Sequence, residues 1–437
     1  MANEKITIGQ NLKRIREELG LKQYEIAGNE VTRNLISLIE NDKTPIYYNV
    51  AHIIAKNINK TINKKGIQIY IQPEDILNPG RYEARKQANK YIEKLQKHLN
   101  DSDYEIEIEE LNEIENFLNK WNLIDKKIKT YELLGDIYYK AKDLNREYYY
   151  YLKALEVSFE FPGMKDRYKI ILKLVSNCIL TKKFEEAIKL CNFALSTQED
   201  ISNKYKGVFY FNSGLAYYHK GEYGKCLDQL IRAKFYINYN DYREMKRILI
   251  LEGICNLELK NFDCAVRNYN KLLELIDEKG NFEEMCLAYI NLVQLYIEMD
   301  HKEEVIKYHQ KVMDCLPHID KNSFYLPEIL LSISNTYYYL KEYGGCAEYL
   351  NKALSLSEEL INLSVFTKTF SNLIDLYTEL GWLDKIDDLA RKFQRQICDF
   401  KLDENFSIIL KILYNFIEQG NSEEAKFFIN NLLNKRG

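Results

Sequence analysis

Three polar side chains in the segment from Thr32 to Asn41 are of the types that hydrogen-bond to the edges of DNA bases. Arg33 can donate to both acceptors of guanine, and Asn34 can donate to and accept from adenine, whereas the Ser37 hydroxyl is nearly indifferent to the base. If this segment is a helix that enters a major groove, specific readout is expected to depend on Arg33 and Asn34.

The residues around this segment predict four short helices that would hold it in place. Thr32 is a good N-cap, and residues 41–45 end the helix that follows it. Earlier in the chain, apolar residues at helical spacing stop at Gly20, where a left-handed C-terminal residue is expected. The expected helices begin at about Ile8, Lys22, Thr32 and Tyr48, and the fourth reaches about Ile58.

Charge is unevenly distributed along the 437 residues. The whole chain has 61 basic and 65 acidic side chains, a net charge of −4, which excludes a general affinity for nucleic acid or membranes. Residues 1–65, however, hold 11 basic and 7 acidic side chains, a net charge of +4, so the remainder carries −8. Any affinity for a polyanion is therefore expected in residues 1–65.

Residues 66–80 follow this basic part and hold several of the chain's few glycines and prolines. The alternating pattern at 67–71 could form a short strand, but the run from Pro73 to Leu77 favours a fifth helix that closes the bundle. The sequence thus predicts a helical domain over 1–65, a linker or closing helix over 66–80, and a third part over 81–437.

From about residue 81 the sequence repeats at intervals of 39 to 41 residues. An aromatic or small residue lies nine positions before most anchor positions, and a mainly apolar one lies seven positions after them. A single helical hairpin cannot bury its apolar face, so eight or nine units must stack into an all-α solenoid. The anchors, expected in the middle of each second helix, are Glu107, Glu147, Ala187, Cys226, Ala265, Val305, Cys346, Ile386 and Ala425.

Several classes of protein are excluded by what the sequence lacks. Nine cysteines are scattered without a Cys-x-x-Cys pair, so we expect reduced, buried thiols rather than disulfides or a zinc site. The six histidines form no metal motif, and there is no phosphate-binding glycine loop, so we expect no enzyme activity, no metal and no cofactor. Without a signal sequence or a long apolar stretch, the chain is expected to be cytoplasmic, with no membrane partner.

The opening part resembles the phage-repressor type of helix-turn-helix over about residues 6–60. The resemblance rests on Gly20-Leu21-Lys22-Gln23 and, within residues 31–41, on an Ile-Ser pair and an Ile-Glu-Asn end. A turn before Thr32 that is one residue shorter than usual would tilt the reading helix. The resemblance implies DNA contacts by Gln23 at a phosphate, by Thr32, Arg33, Asn34 and Ser37 on the reading helix, and by Asn41, Lys43 and Thr44 at the backbone beyond.

The repeats resemble tetratricopeptide repeats with a period longer than the usual length of about 34 residues. In such arrays the first helices line a concave wall, where an Asn can donate to and accept from the backbone of an extended peptide. The alternative for each residue is a solvated or interhelical polar group. The candidate peptide-binding residues are Lys169, Lys173, Asn212, Tyr218, Arg247, Asn291, Asn335, Tyr338 and Asn372.

A basic reader followed by such repeats resembles the peptide-responsive regulators of Gram-positive bacteria known as the RRNPP group. The resemblance implies a homodimer that binds double-stranded DNA and a short signalling peptide, with peptide binding altering the DNA-binding state. Two alternatives stay open. The chain could be a protein-interaction scaffold or phosphorelay inhibitor acting through its repeats, or a repressor that needs no peptide.

Overall fold

The computed structural model describes residues 6–66, 69–161, 167–197, 201–238, 241–276, 281–396, 402–418 and 420–434. Over these residues the chain forms 23 α-helices, one short 3-10 helix and no strand, so the predicted all-α fold is confirmed. The short strand considered as an alternative at 67–71 is absent from 69–71, and residues 67–68 lie outside the described part. The chain divides into two compact units, Met1–Ile201 and Ser202–Gly437.

Five helices at the start of the first unit share one hydrophobic core. Ile15, Ile36, Ile58 and Ile76 are fully buried there. The fourth helix is six residues longer than expected, because Ile62 continues its apolar spacing and is also fully buried. The helices are α1 (Ile8–Glu18), α2 (Gln23–Ala27), α3 (Arg33–Glu40), α4 (Tyr48–Lys64) and α5 (Pro73–Leu77), of which the fifth confirms the predicted closing helix.

Two buried asparagines hold α5 against the bundle. Asn59 donates from Nδ2 to the carbonyl of Ile71 and accepts from its N–H, both at 2.8 Å. Asn11 donates to the carbonyls of Asp75 and Ile76, each at 2.8 Å, and so satisfies the carboxyl end of α5. The side chains of Asn11 and Asn59 thus supply the hydrogen bonds that these backbone groups do not make to other backbone, and they hold the segment that ends in α5 against α1 and α4.

A buried ionic network joins α5 to the first repeat helices, α6 (Pro79–Asn100) and α8 (Ile124–Lys140). Asp75 is fully buried, accepts a hydrogen bond from Arg81 and forms an ion pair with Arg85, whose Nε lies 2.9 Å from Oδ2 of Asp75. Arg85 Nη1 also lies 2.6 Å from Oδ2 of Asp125. Removing one partner from such a network leaves an uncompensated buried charge, so α5 and the first repeat helices depend on the same set of side chains.

After α5, the described residues form nine helical hairpins. Within each pair the helices contact each other, as expected for units that stack. The remaining helices are α7 (Ile108–Lys120), α9 (Leu144–Ser158), α10 (Arg167–Leu180), α11 (Phe184–Ser196), α12 (Asn203–His219), α13 (Tyr223–Tyr236), α14 (Tyr242–Glu258), α15 (Phe262–Leu275), α16 (Phe282–Glu298), α17 (Lys302–Cys315), α18 (Leu326–Tyr339), α19 (Tyr343–Glu359), α20 (Leu363–Glu379), α21 (Leu383–Gln396), α22 (Leu402–Glu418) and α23 (Ser422–Asn434), with the 3-10 turn Leu316–His318 after α17.

The anchor positions lie on the second helices, nearer their starts than their middles. From α9 to α23 every anchor is the fourth residue of its helix and is buried. Glu107 is the exception, because it is the N-cap of α7 rather than a helical residue. Glu147 is also unusual: it is a buried carboxylate at a position that Ala187, Cys226 and Ala265 fill with small side chains.

The turn inside each of these eight hairpins has the same backbone conformation. The residue five positions before the anchor has a positive φ in every case. Glycine adopts this conformation at little steric cost, whereas a residue with a Cβ is strained there. The left-handed residues are Lys142, Lys182, Gly221, Lys260, Asp300, Lys341, Gly381 and Gly420.

Aromatic stacking links the two helices of several hairpins. The first-helix aromatic stacks on the residue twelve positions later, as in Tyr138 with Tyr150 at 5.5 Å and Tyr296 with Tyr308 at 5.5 Å between ring centroids. In the α14–α15 hairpin the corresponding residues are Asn256 and Asn268, and Nδ2 of Asn256 donates to Oδ1 of Asn268 at 3.2 Å. Eight cysteines fall among the described residues, all as free thiols, and seven of them are buried.

Candidate functional site

The helix α3 presents its first two residues to solvent. The Thr32 hydroxyl accepts from the N–H of Leu35 at 3.2 Å, so Thr32 caps the helix as predicted. Arg33 and Asn34 are exposed, and neither side chain has a hydrogen bond or an ion pair with any residue that the structure describes. Their donors and acceptors are therefore available to a ligand.

The opposite face of α3 is fixed by a buried carboxylate. Glu40, only 4% exposed, accepts from Arg16 Nε at 2.6 Å and from Arg16 Nη2 at 3.0 Å. Gln23 Nε2 donates to the same carboxylate at 2.8 Å. The hydrogen bond to Glu40 raises the pKa of the Arg16 guanidinium above its usual value.

Gln23, expected at a phosphate, is thus partly occupied within the protein. One of its two amide hydrogens is given to Glu40, and the side chain remains half-exposed. Asn41 is similarly engaged, because its Nδ2 donates to the Ser37 carbonyl at 2.7 Å. The Gln23–Glu40 bond joins two helices and could not be predicted from local sequence, whereas the Asn41–Ser37 bond lies within the last turn of α3.

The loop after α3 is held against the start of α1. Asp42, in the left-handed region at φ 55°, accepts from the Thr7 hydroxyl at 2.6 Å and from the Gly9 N–H at 3.2 Å. Lys43 beside it is exposed, and its side chain has no partner among the described residues; Thr44 is half-buried. The loop therefore presents one unpaired cation from a fixed backbone.

In the second unit, the first helices of neighbouring hairpins lie side by side. Contacts join α12 to α14, α16 to α18, and α18 to α20. Asn291, Asn335 and Asn372 lie on three of these helices, half-buried or exposed, and their amides have no partner in the described part of the chain. Asn212 on α12 donates to the carbonyl of Val208 at 3.0 Å, within its own helix.

Two of the candidate peptide-binding residues line a common cavity. Arg247 of α14 and Asn291 of α16 both border a cavity of about 470 Å³, within the usual range for a ligand site. Arg243, which is not among the predicted peptide-binding residues, lines it too. Its spacing of four residues from Arg247 could have indicated it, because such residues share one helix face.

The other candidates lie outside this cavity. Lys173 is paired with Glu132 at 2.9 Å and with Asp136 at 2.7 Å, and Lys169 on the same helix also has an interaction partner. Tyr338 donates its hydroxyl to Glu379 at 2.7 Å, which links α18 to α20. Tyr218 is half-buried against Tyr223, with ring centroids 6.0 Å apart.

The described ranges contain no group of three or more His, Cys, Asp or Glu side chains placed to hold a metal ion. None of the helices in those ranges combines the length and the apolar character needed to span a bilayer.

Comparison with solved structures finds proteins built from tetratricopeptide repeats. A STAND-type signal transduction ATPase from Pyrococcus horikoshii, with a tetratricopeptide repeat sensor, is 15% identical over 99% of this chain and 72% of that chain, with a TM-score of 0.48. The apo form of the quorum sensor NprR from B. thuringiensis is 11% identical over 80% and 99%, with a TM-score of 0.48. A Rap protein complexed with competence and sporulation factor is 14% identical over 80% and 98%, with a TM-score of 0.44.

No protein-family model and no curated protein matches the sequence.

Proposed function

We propose that this chain is a DNA-binding transcriptional regulator whose repeats bind a short signalling peptide and form a homodimer. The observation that carries the proposal is the pairing of exposed, unpartnered Arg33 and Asn34 with a rigid support beneath them. An Arg can bridge the acceptors of guanine, and an Asn can read adenine. The proposal assigns the chain no catalytic activity and no cofactor.

The support matters because base readout requires fixed side-chain positions. Glu40 of α3 binds Arg16 of α1 and Gln23 of α2, so these two helices hold α3 in one orientation. Lys43 follows directly and would supply a sequence-independent contact to a phosphate. Residues 1–65 also carry the local excess of positive charge that attracts a duplex.

For the peptide, the proposal rests on the unpartnered amides along successive first helices. Asn291, Asn335 and Asn372 each have a donor and an acceptor to offer to a peptide backbone. Such contacts fix an extended chain without reading its side chains. Peptide would bind one arrangement of the repeats more tightly than another and so shift the population of DNA-binding dimers.

The test is selection of binding sites from a random duplex DNA library by the full chain. Wild type is expected to enrich a two-fold symmetric motif, and Arg33→Ala is expected to relax one base position in each half-site, costing about 1–3 kcal/mol there. Lys60→Ala is the matched control, because Lys60 is an exposed cation on α4 and not on α3.

The selection also distinguishes the proposed DNA-binding regulator from the alternative of a protein-interaction scaffold. A properly folded wild-type chain that enriches no sequence and binds no duplex would contradict the proposed role and favour capture of a protein partner by the repeats. A motif that Arg33→Ala leaves unchanged would contradict the assignment of the reading residues. Adding a library of random short peptides to the selection addresses the peptide-independent repressor, which predicts no change in the affinity for duplex DNA.

A further inference from the structure

The cavity between α14 and α16 has an apolar floor. It has a volume of about 470 Å³, and the side chains of its floor come from three helices and the residue that follows α15. A cavity of this size and lining suits one or two apolar side chains of a ligand. The floor residues are Ile250, Leu272, Ile276, Leu287 and Ala288.

Three cations of α14 border the cavity, and two of them are already paired. Lys246 Nζ lies 2.5 Å from Oε2 of Glu284. Arg247 Nη1 lies 2.9 Å from Oε2 of Glu244, and its guanidinium is placed over the ring of Phe211 at 4.3 Å.

Arg243 differs from its two neighbours. It is exposed, and the described residues provide it with no hydrogen bond or ion pair. It is therefore the cation of this rim whose charge is not neutralised within the protein. A planar guanidinium in this state favours a bidentate carboxylate.

The rim on α16 has a different character. Glu283 accepts a hydrogen bond from the hydroxyl of Ser323, and the structure gives it no basic partner in the described residues. Asn291 lines the same cavity with an unpartnered amide. The negative charge of Glu283 repels a dianion such as a phosphoryl group more strongly than it repels a monoanion. A ligand with one negative charge beside an apolar group therefore fits this cavity better than a phosphorylated ligand.

We infer that this cavity binds the carboxyl-terminal residue of the peptide ligand, an inference that rests on the proposed function. The terminal carboxylate pairs with Arg243, the last apolar side chain packs on Leu272 and Leu287, and the Asn291 amide bonds to the peptide backbone. The ligand class is therefore a short peptide with a free carboxylate and an apolar last residue.

The experiment is affinity capture on the immobilised full chain. The probe is an equimolar mixture of two random pentapeptide libraries, identical except that one has free carboxyl termini and the other is amidated, and captured peptides are read by mass spectrometry. Wild type is expected to enrich free-carboxylate peptides ending in an apolar residue by about tenfold over their amides. Arg243→Gln is expected to remove this preference, and Arg243→Lys to retain part of it.

Arg232→Gln is the matched control, because Arg232 is an exposed arginine on the neighbouring helix α13 and does not line the cavity. It should keep the preference of wild type. Capture of both libraries equally, unchanged by Arg243→Gln, would overturn the inference while leaving peptide binding by the repeats intact. Capture of neither library by wild type would overturn both.

Discussion

Gln23 and Glu40 are joined by a hydrogen bond of 2.8 Å on the buried side of the helix that carries Arg33. Glu40 also accepts two hydrogen bonds from Arg16, so a single buried carboxylate ties α1, α2 and α3 together. The buried face of α3 is bound to α1 and α2, and its exposed face remains free for a ligand. The contacts that stabilise the helical bundle therefore also orient the residues proposed to bind DNA bases.

Glu40→Gln is expected to loosen α3. The variant keeps the shape of the side chain but removes its charge, and its amide donors face the donors of Arg16 and Gln23, which should cost about 2–4 kcal/mol. Hydrogen exchange of the amides of α3 in the full chain is the measurement, and their exchange should accelerate by at least about thirtyfold.

Glu17→Gln is the control for this variant. Glu17 also lies next to Arg16, at 3.3 Å, but its side chain is 56% exposed, and exposed pairs contribute about 0–1 kcal/mol. Exchange in α3 should stay within a few fold of wild type. If both variants accelerated exchange equally, the buried position of Glu40 would not be the cause.

Lys260→Gly is expected to stabilise the α14–α15 hairpin. Lys260 is exposed and left-handed at φ 58°, in the position that Gly221 occupies one unit earlier. Removing its Cβ relieves strain and should raise the opening free energy by about 0.5–1 kcal/mol after the entropy of the unfolded glycine is counted.

The comparison for this variant is Lys271→Gly in the interior of α15, also at an exposed lysine. Glycine there should lower the same free energy by about 1 kcal/mol. Hydrogen exchange over residues 242–275 measures both. Equal signs for the two variants would show that the left-handed turn is not strained.

Glu147→Gln is expected to stabilise the α8–α9 hairpin at neutral pH. Glu147 is 2% exposed, and one carboxylate oxygen has no hydrogen-bond partner within the described residues. Burial raises the pKa of Glu147 above its ordinary value of 4.5. The neutral amide avoids the cost of a buried charge, so we expect a gain of about 1 kcal/mol at pH 7.

The pH dependence has a definite sign. Between the ordinary pKa of Glu147 and its raised value, the folded chain binds more protons than the unfolded chain, so its contribution makes stability fall as pH rises. Glu147→Gln should lack this slope, whereas Glu156→Gln, at an exposed site on the same helix, should keep it. The measurement is the opening free energy of α9 at pH 5, 6 and 7. Parallel curves for wild type and Glu147→Gln would contradict the assignment.

The repeat spacing predicted most of the fold because the anchor of each unit is fixed by packing. The anchors Ala187, Cys226 and Ala265 are small side chains that are fully buried at the same position of their second helices. Glu107 was misplaced because α7 begins at Ile108, after residues that are not helical. The end of α4 was placed too early because polar residues after Ile58 concealed the continuing apolar stripe through Ile62.

Less of the proposed DNA-binding and peptide-binding sites could be predicted from the sequence. Arg33 and Asn34 could be identified by residue type, since exposure on a capped helix follows from local sequence alone. The role of Glu40 depends on Arg16 and Gln23 meeting across three helices, which no local pattern shows. The spacing of Arg243 from Arg247 could have placed it on the same helix face, but its lack of a partner is a property of the folded chain that local sequence does not show.

The central claim is that the basic start of the chain binds duplex DNA, and its affinity for a pool of duplex fragments as a function of salt tests this most directly. We expect binding at about 50 mM salt that weakens by at least about tenfold at 200 mM, since each phosphate contact releases counterions. Lys43→Ala should reduce the slope of the logarithm of affinity against the logarithm of salt concentration by about 1, the contribution of one phosphate contact. A folded chain with no affinity for duplex DNA at either salt concentration, with or without captured peptides, would contradict the account.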